Sequence, residues 1–244
     1  MKKSIVSIAL ASTLLFTANA MASLSPAQQK QLNEIQQLLE NNPDIISDLH
    51  ASLNQYVESQ AQFEQVKQAS QAWLNNTQVH SVTGNPNGNT VLINFTDYNC
   101  PYCKKLEAGI DQLVKEYNDV KVINIYVPLQ QQQVAGLDTN SAIYALNVWQ
   151  KAPDKFAQVH ALLVAKNGRH TKESLEAIAK KTNTAQYLVA NKDVEASIIK
   201  NLQTFTNLGL RGTPAIFVGD DVVPGFIPYA QLKQMVEKEI NKNS

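Results

Sequence analysis

The 244-residue sequence predicts an α/β fold in which a βαβ unit and a ββα unit are separated by a helical insert and preceded by a helical stalk. Three observations lead there. First, Val91-Leu92-Ile93-Asn94-Phe95-Thr96 is a short, nearly continuous apolar run of the kind found in a strand buried on both faces. Second, Cys103, Leu106, Ile110, Leu113 and Tyr117 follow it at helical spacing, and a β-branched run from Val120 to Val127 comes next. Strand, helix and strand of these lengths form a βαβ unit with parallel strands. Third, Ala215-Ile216-Phe217-Val218, a Gly219-Asp220-Asp221 turn and Val222-Val223 lead to a helix after Pro228, with Leu232, Val236 and Ile240 on one face.

The chain opens with Lys2 and Lys3, an apolar stretch from Ile5 to Phe16, and small residues that allow cleavage after Ala20 or Ala22. Residues 1–22 are therefore expected to be a secretory signal peptide, too short and wrongly flanked for a membrane anchor. No cysteine follows the apolar stretch, so a lipid anchor is not expected, and the leader is bacterial in character. These features predict export to the periplasm. Removing the leader lowers the formal charge from zero to about −2, which argues against nucleic acid or an anionic membrane as a partner.

Residues 23–77 form a segment apart, rich in Gln and poor in Gly. Leu32, Ile35, Leu39, Ile46, Leu49, Leu53, Tyr56 and Phe63 fall in one 3-4 heptad frame, whose remaining positions are Asn42 and Gln60. Pro43 suits the first turn of a new helix with Asn42 as its N-cap, so two helices are expected, roughly 25–41 and 43–75. So narrow a stripe suits another helix better than a globular core. The expectation is a homo-oligomer held through residues 24–76, the alternative being a helix folded back on its own domain.

Asn85-Pro86-Asn87-Gly88-Asn89 is a turn cluster that opens the remaining domain, residues 78–244. Between the βαβ and ββα units, residues from about 134 to 208 read as helical: Phe156, Val159 and Leu163 mark one amphipathic segment, and Val194, Ile198, Leu202 and Phe205 another. Gly209 stops the last of them.

The chemistry is expected at Cys100-Pro101-Tyr102-Cys103. These are the only two cysteines of an exported chain, and a bridge between them closes too small a loop to contribute much stability. A single CxxC also lacks the second ligand pair of a structural zinc site. Cys100 follows a buried strand and precedes a helix opened by Pro101, where unpaired N–H groups and the helix dipole favour thiolate. Cys100 is thus the expected nucleophile. Cys103 shares the core-facing side of Leu106 and Ile110 and is the expected resolving thiol.

The motif Phe95-Thr96-Asp97-Tyr98-Asn99-Cys100-Pro101-Tyr102-Cys103-Lys104, with Gly212-Thr213-Pro214-Ala215 downstream, resembles the DsbA family of the thioredoxin superfamily, periplasmic thiol–disulfide oxidoreductases. The resemblance covers residues from about 78 to 242 and implies a thioredoxin fold with a helical insertion. Together, the N-terminal helices and CPYC resemble the oligomeric ScsC-like proteins and, more distantly, the DsbC/DsbG isomerases. It implies that Thr213-Pro214 is a cis peptide beside the site, and that Pro101, Tyr102, Thr213 and Pro214 shape substrate binding. Asn94 departs from the family, which often has a buried carboxylate there, six residues before the first cysteine, to move the proton of the second. Asp97 is nearer but is expected to be solvated at the strand end.

His50, His80, His160 and His170 are scattered and are read as surface or packing residues, as are Trp73 and Trp149. No cofactor and no metal site is expected. The predicted function is disulfide exchange with unfolded or misdisulfided secreted proteins, serviced by a membrane redox partner protein. The Thr before Pro214 and the stalk lean it towards isomerase or reductase. The alternatives are a dithiol oxidase of the DsbA type, a copper-binding protein using the soft thiolate pair, and a chaperone using the stalk.

Overall fold

The computed structural model describes residues 24–243; the expected signal peptide lies outside them. The described residues divide into two compact units, one ending at Val57 and the other beginning at Glu58.

In the first unit, Ser25 and Gln28 form a reciprocal capping box and Pro26 takes the first helical position of α1 (Pro26–Asn41). A 3₁₀ turn, Pro43–Ile45, precedes α2 (Ile46–Leu74). Asn42 holds the N-cap position of that turn, as the sequence suggested, but its side chain makes no capping hydrogen bond there. Its side-chain amide instead turns back and donates to the Leu38 carbonyl at 2.8 Å, closing the end of α1. No residue of α1 is buried, and Leu32, Ile35, Leu53 and Tyr56 of the heptad frame are each about half exposed. Leu38, Ile45 and Val57 widen the exposed apolar surface.

The second unit begins inside α2. Phe63, Val66 and Trp73 are half-buried against a core that includes Leu74, and the Phe63 ring meets Phe217 edge-on at 5.9 Å. The sequence boundary at 77/78 therefore differs from the structural one, because a helix that looks like stalk throughout packs its last turns on the sheet. Phe63, counted in the stalk frame, serves this core. Replacing Phe63 by alanine is expected to lower stability by about 2 kcal/mol, less than a fully buried phenylalanine would lose. Urea denaturation at unchanged scattering mass is the check.

The sheet contains β1 (Ser81–Gly84), β2 (Thr90–Thr96), β3 (Val120–Tyr126), β4 (Ala215–Val218) and β5 (Asp221–Val223), in the order β1-β3-β2-β4-β5. β2 and β3 run parallel with Ile93 opposite Ile123; the other pairings are antiparallel. Alternate residues of β2 serve two cores, which explains its unbroken apolar run. Leu92 faces α3 (Pro101–Glu116) and α8 (Tyr229–Asn243), through Leu106, Ile110, Leu113, Leu232 and Val236. Ile93 and Phe95 face Leu74, Phe205 and Phe217. Strand β1 was not expected from the sequence.

The insert is α4 (Ser141–Lys151), α5 (Pro153–Ala165), α6 (Lys172–Thr182) and α7 (Lys192–Asn207). They enclose a core of their own, in which Tyr98 and Tyr126 are buried beside Tyr144, Phe156 and Leu163. Gly209, at φ +71°, follows the end of α7 and donates to the Thr206 carbonyl, so the stop falls where the sequence placed it.

Candidate active site

The turn between β2 and α3 is fixed by its own polar residues. Asp97 is 2 % exposed, not solvated as its place at a strand end suggested. Its carboxylate accepts from the backbone N–H of Asn99 (2.8 Å) and of Gln130 (2.9 Å), and its carbonyl accepts from Cys100 N–H. Burial pushes the Asp97 carboxyl up, and these hydrogen bonds oppose it. Asn99 accepts from the His170 N–H at 2.8 Å, which ties the turn to the insert.

Cys100 is the N-cap residue of α3, in extended conformation, with Pro101 at the first helical position. Its Sγ lies 3.2 Å from the Thr213 carbonyl oxygen, to which the thiol form donates. The Thr213-Pro214 peptide is cis. Cys103, one turn into α3, is buried beside Leu106. The two thiols have opposite tendencies. The hydrogen bond from Cys103 is the main cause that lowers Cys100 to about 6; burial opposes it, and the N–H groups of Cys103 and Tyr102 at the helix start reinforce it. Burial pushes Cys103 far above the ordinary thiol range, and its hydrogen bond to Cys100 adds to this. Cys100 is only 5 % exposed and Cys103 3 %; a low-pKa sulfur at the helix start paired with a high-pKa one further in can attack an external disulfide and then resolve the product.

Tyr102 projects from the helix start and is 55 % exposed, with Phe226 at 6.2 Å between ring centroids and Lys105 over its face. Lys104 turns away and donates to the carbonyls of Lys166 and Gly168. The structure thus gathers Cys100, Pro101, Tyr102, Cys103, Thr213 and Pro214 at one end of β2.

Of the histidines, His80 and His170 are buried packing residues whose burial lowers each to about 4. His50 is exposed on α2. His160 is different: its ring is buried at 2.8 Å from the carboxylate of Glu107, and both line a small cavity that Cys103 also lines. Sequence reading missed Glu107. The available signal was an acid four residues after Cys103, on the helix face assigned to the core.

A parallel βαβ unit followed by an antiparallel ββα unit, with a CxxC at the start of the first helix, defines a protein of thioredoxin fold. The family model described as Thioredoxin matches residues 74–238, and the chain belongs to that family. Disulfide bond formation protein D of Bacillus subtilis (strain 168) is 27% identical over 175 residues, 65% of this chain and 76% of that protein. ScsC of Proteus mirabilis in a transitional conformation superposes with a TM-score of 0.68 at 30% identity, covering 91% of this chain and 99% of that one. A periplasmic thioredoxin-like protein from Salmonella enterica serovar Typhimurium gives 0.64 at 32% identity, covering 70% and 95%. The chain is a DsbA/ScsC-like member of the thioredoxin superfamily, of the thiol–disulfide oxidoreductase class. Among the described residues no helix is long and apolar enough to cross a membrane, and no group of three or more His, Cys, Asp or Glu could hold a metal ion.

Proposed function

We propose that the protein is an exported, periplasmic enzyme that exchanges disulfides with unfolded or misdisulfided secreted proteins, and that it works chiefly as an isomerase or reductase. The observation that carries the chemistry is the placement of the two sulfurs: Cys100 caps the start of α3 with its Sγ 3.2 Å from the Thr213 carbonyl oxygen, and Cys103 lies buried on the same helix, an arrangement that lowers the first thiol and raises the second. Cys100 attacks one sulfur of a substrate disulfide; the other sulfur leaves with the bonding electron pair. The resulting mixed disulfide has two fates. A substrate thiolate attacks the substrate sulfur and restores free Cys100, which is isomerisation. Alternatively Cys103 attacks Cys100 Sγ, closes the Cys100–Cys103 disulfide and releases a reduced substrate. Run in reverse, the second route is oxidation.

In this reading Pro101 and Tyr102 shape the entrance, and Thr213 and Pro214 receive extended substrate backbone beside Cys100. A membrane redox partner protein returns the pair to its working oxidation state. The isomerase leaning is supported by the exposed apolar stripe of α1 and α2, which suits assembly of several copies. The identity with periplasmic relatives supports the compartment.

Refolding of scrambled ribonuclease, run beside oxidation of reduced ribonuclease, tests the direction. The expected result is faster recovery of activity from the scrambled form with the reduced protein than oxidation with the disulfide form. Efficient oxidation with no unscrambling would assign a DsbA-type oxidase instead.

A further inference from the structure

Glu107 has no part in the exchange as written, and its surroundings give it one. It lies one helical turn beyond Cys103 on α3 and is 3 % exposed. His160 Nε2 stands 2.8 Å from its Oε1, and the Asn94 amide 3.5 Å from its Oε2. The other ring nitrogen of His160 meets the Tyr98 hydroxyl at 2.8 Å, which meets that of Tyr126 at 2.7 Å. An apolar residue would pack this turn of α3 without the cost of burying a carboxylate and an imidazole.

Two cavities meet at the pair. One of about 10 Å³, close to the space a single water needs, is lined by Cys103, Glu107, His160, Tyr98 and Val164 among others. The second, a surface groove of about 460 Å³ between α3, α5 and β1, is lined by Glu107 and His160 together with exposed Asp111. The pair therefore stands between the inner thiol and solvent.

We propose that Glu107 and His160 are the proton relay of Cys103. The inference rests on the reading of Cys100 and Cys103 as the exchanging pair. In the mixed disulfide, the Cys103 thiol gives its proton through the small cavity to the Glu107 carboxylate, which shares it with His160. The Cys103 thiolate then attacks Cys100 Sγ. A Cys100–Cys103 bond forms, the Cys100–substrate bond breaks, and the substrate sulfur leaves with the electron pair and takes a proton from water. The cysteine pair is oxidised by two electrons and the substrate disulfide reduced by two; the relayed proton leaves through the groove. In the reverse direction the pair protonates Cys103 as it departs. Because burial keeps the Cys103 thiol protonated at neutral pH, resolution needs such an acceptor. The carboxylate also lies beside Asn94, so α3 carries the acid where β2 has an amide.

The titratable and charged groups around the pair are Lys104 and Asp111 of α3, Asp97 and Tyr98 of the turn before it, and Tyr126 of β3. Val82, Thr83 and Gly84 of β1 bring none.

The test mixes full-length reduced protein with oxidised glutathione, quenches with acid and follows the glutathionylated and disulfide forms by mass. Glu107→Gln should leave glutathionylation of Cys100 within about twofold. It should slow closure of the Cys100–Cys103 disulfide about a hundredfold at pH 6, with a deficit that shrinks as pH rises and hydroxide takes the Cys103 proton in place of the pair. Glu107→Asp should recover most of the rate. Closure at the wild-type rate, or a slowing equal at every pH, would overturn the relay. If Glu107→Gln does not fold, His160→Gln, which keeps a donor but cannot carry the proton, is held to the same criteria. A wild-type protein that never forms the mixed disulfide would overturn both the relay and the reading of the site beneath it. A normal first step with an unaltered second overturns the relay alone.

Discussion

Replacing Cys100 by serine should reduce disulfide exchange on the order of a thousandfold or more, because a hydroxyl cannot supply the anionic nucleophile that the reaction needs. In the reduced wild-type protein the ultraviolet absorbance of the thiolate should titrate with a midpoint near 6 and should be lost in Cys100→Ser. Attack on an external disulfide then falls as pH drops through 6 and levels off above it. Cys103→Ser keeps the nucleophile and loses the resolving thiol, so mixed disulfides with substrate should accumulate. A midpoint near the ordinary thiol value would remove Cys100 from the nucleophilic role.

The same shift makes a stability prediction for the reduced protein. Folding depresses the Cys100 value from 9.0 to about 6, so the stabilisation is complete above pH 9 and is lost as pH falls through 6. Relative to Cys100→Ser, reduced wild-type should therefore gain stability between pH 6 and pH 9. After discounting for solvent screening, the gain is about 2 kcal/mol. Thermal denaturation of both proteins across that window is the check. A disulfide whose reduced form is stabilised in this way gives up its oxidising equivalents readily, so turnover in the isomerase direction depends on the pair being kept reduced.

The elements legible from sequence were those whose signal is local. Strand β2 declared itself by apolar residues on both faces, α3 by Cys103, Leu106, Ile110 and Leu113, and Cys100 by its place between them. Strand β1 was missed because Ser81, Val82, Thr83 and Gly84 offer one large apolar side chain in four residues. Its place on the sheet comes from antiparallel pairing with β3, far along the chain. Asp97 was misjudged for a related reason: its burial depends on the Gln130 N–H after β3, to which nothing in its own neighbourhood points. The Glu107–His160 contact joins residues of α3 and α5, brought together only when the insert closes over the βαβ unit. Phe63 was assigned to the stalk since a heptad frame carries no mark where a continuous helix stops facing one partner and starts facing another.

That last point sets how the stalk must be tested. A chain that begins at Val79 would lose not only the stalk but also Phe63, Val66, Trp73 and Leu74 from the core of the second unit, and lower activity would then report damage. A chain that begins at Glu58 removes the first unit alone. In the full mature protein, light scattering is expected to give a multiple of the protomer mass; beginning at Glu58 it should give the monomer. Leu32, Ile35, Leu53 and Tyr56 remain about half exposed on α1 and α2, and full burial of such a side chain is worth roughly 1.5–3 kcal/mol. Several of them on each copy supply enough to offset the entropy of association, whereas a monomer would leave the whole stripe in water. Assembly raises the effective concentration of Cys100 around a substrate just released, so that a wrong disulfide is attacked again before the substrate diffuses away. The shortened chain should therefore keep its Cys100 titration and its reaction with glutathione, and should lose most of its recovery of scrambled ribonuclease. A monomeric mature protein at micromolar concentration would sink the assembly. An oligomer whose unscrambling survives the truncation would keep the assembly and break its link to isomerisation, since a single Cys100 would then suffice to search the substrate's pairings.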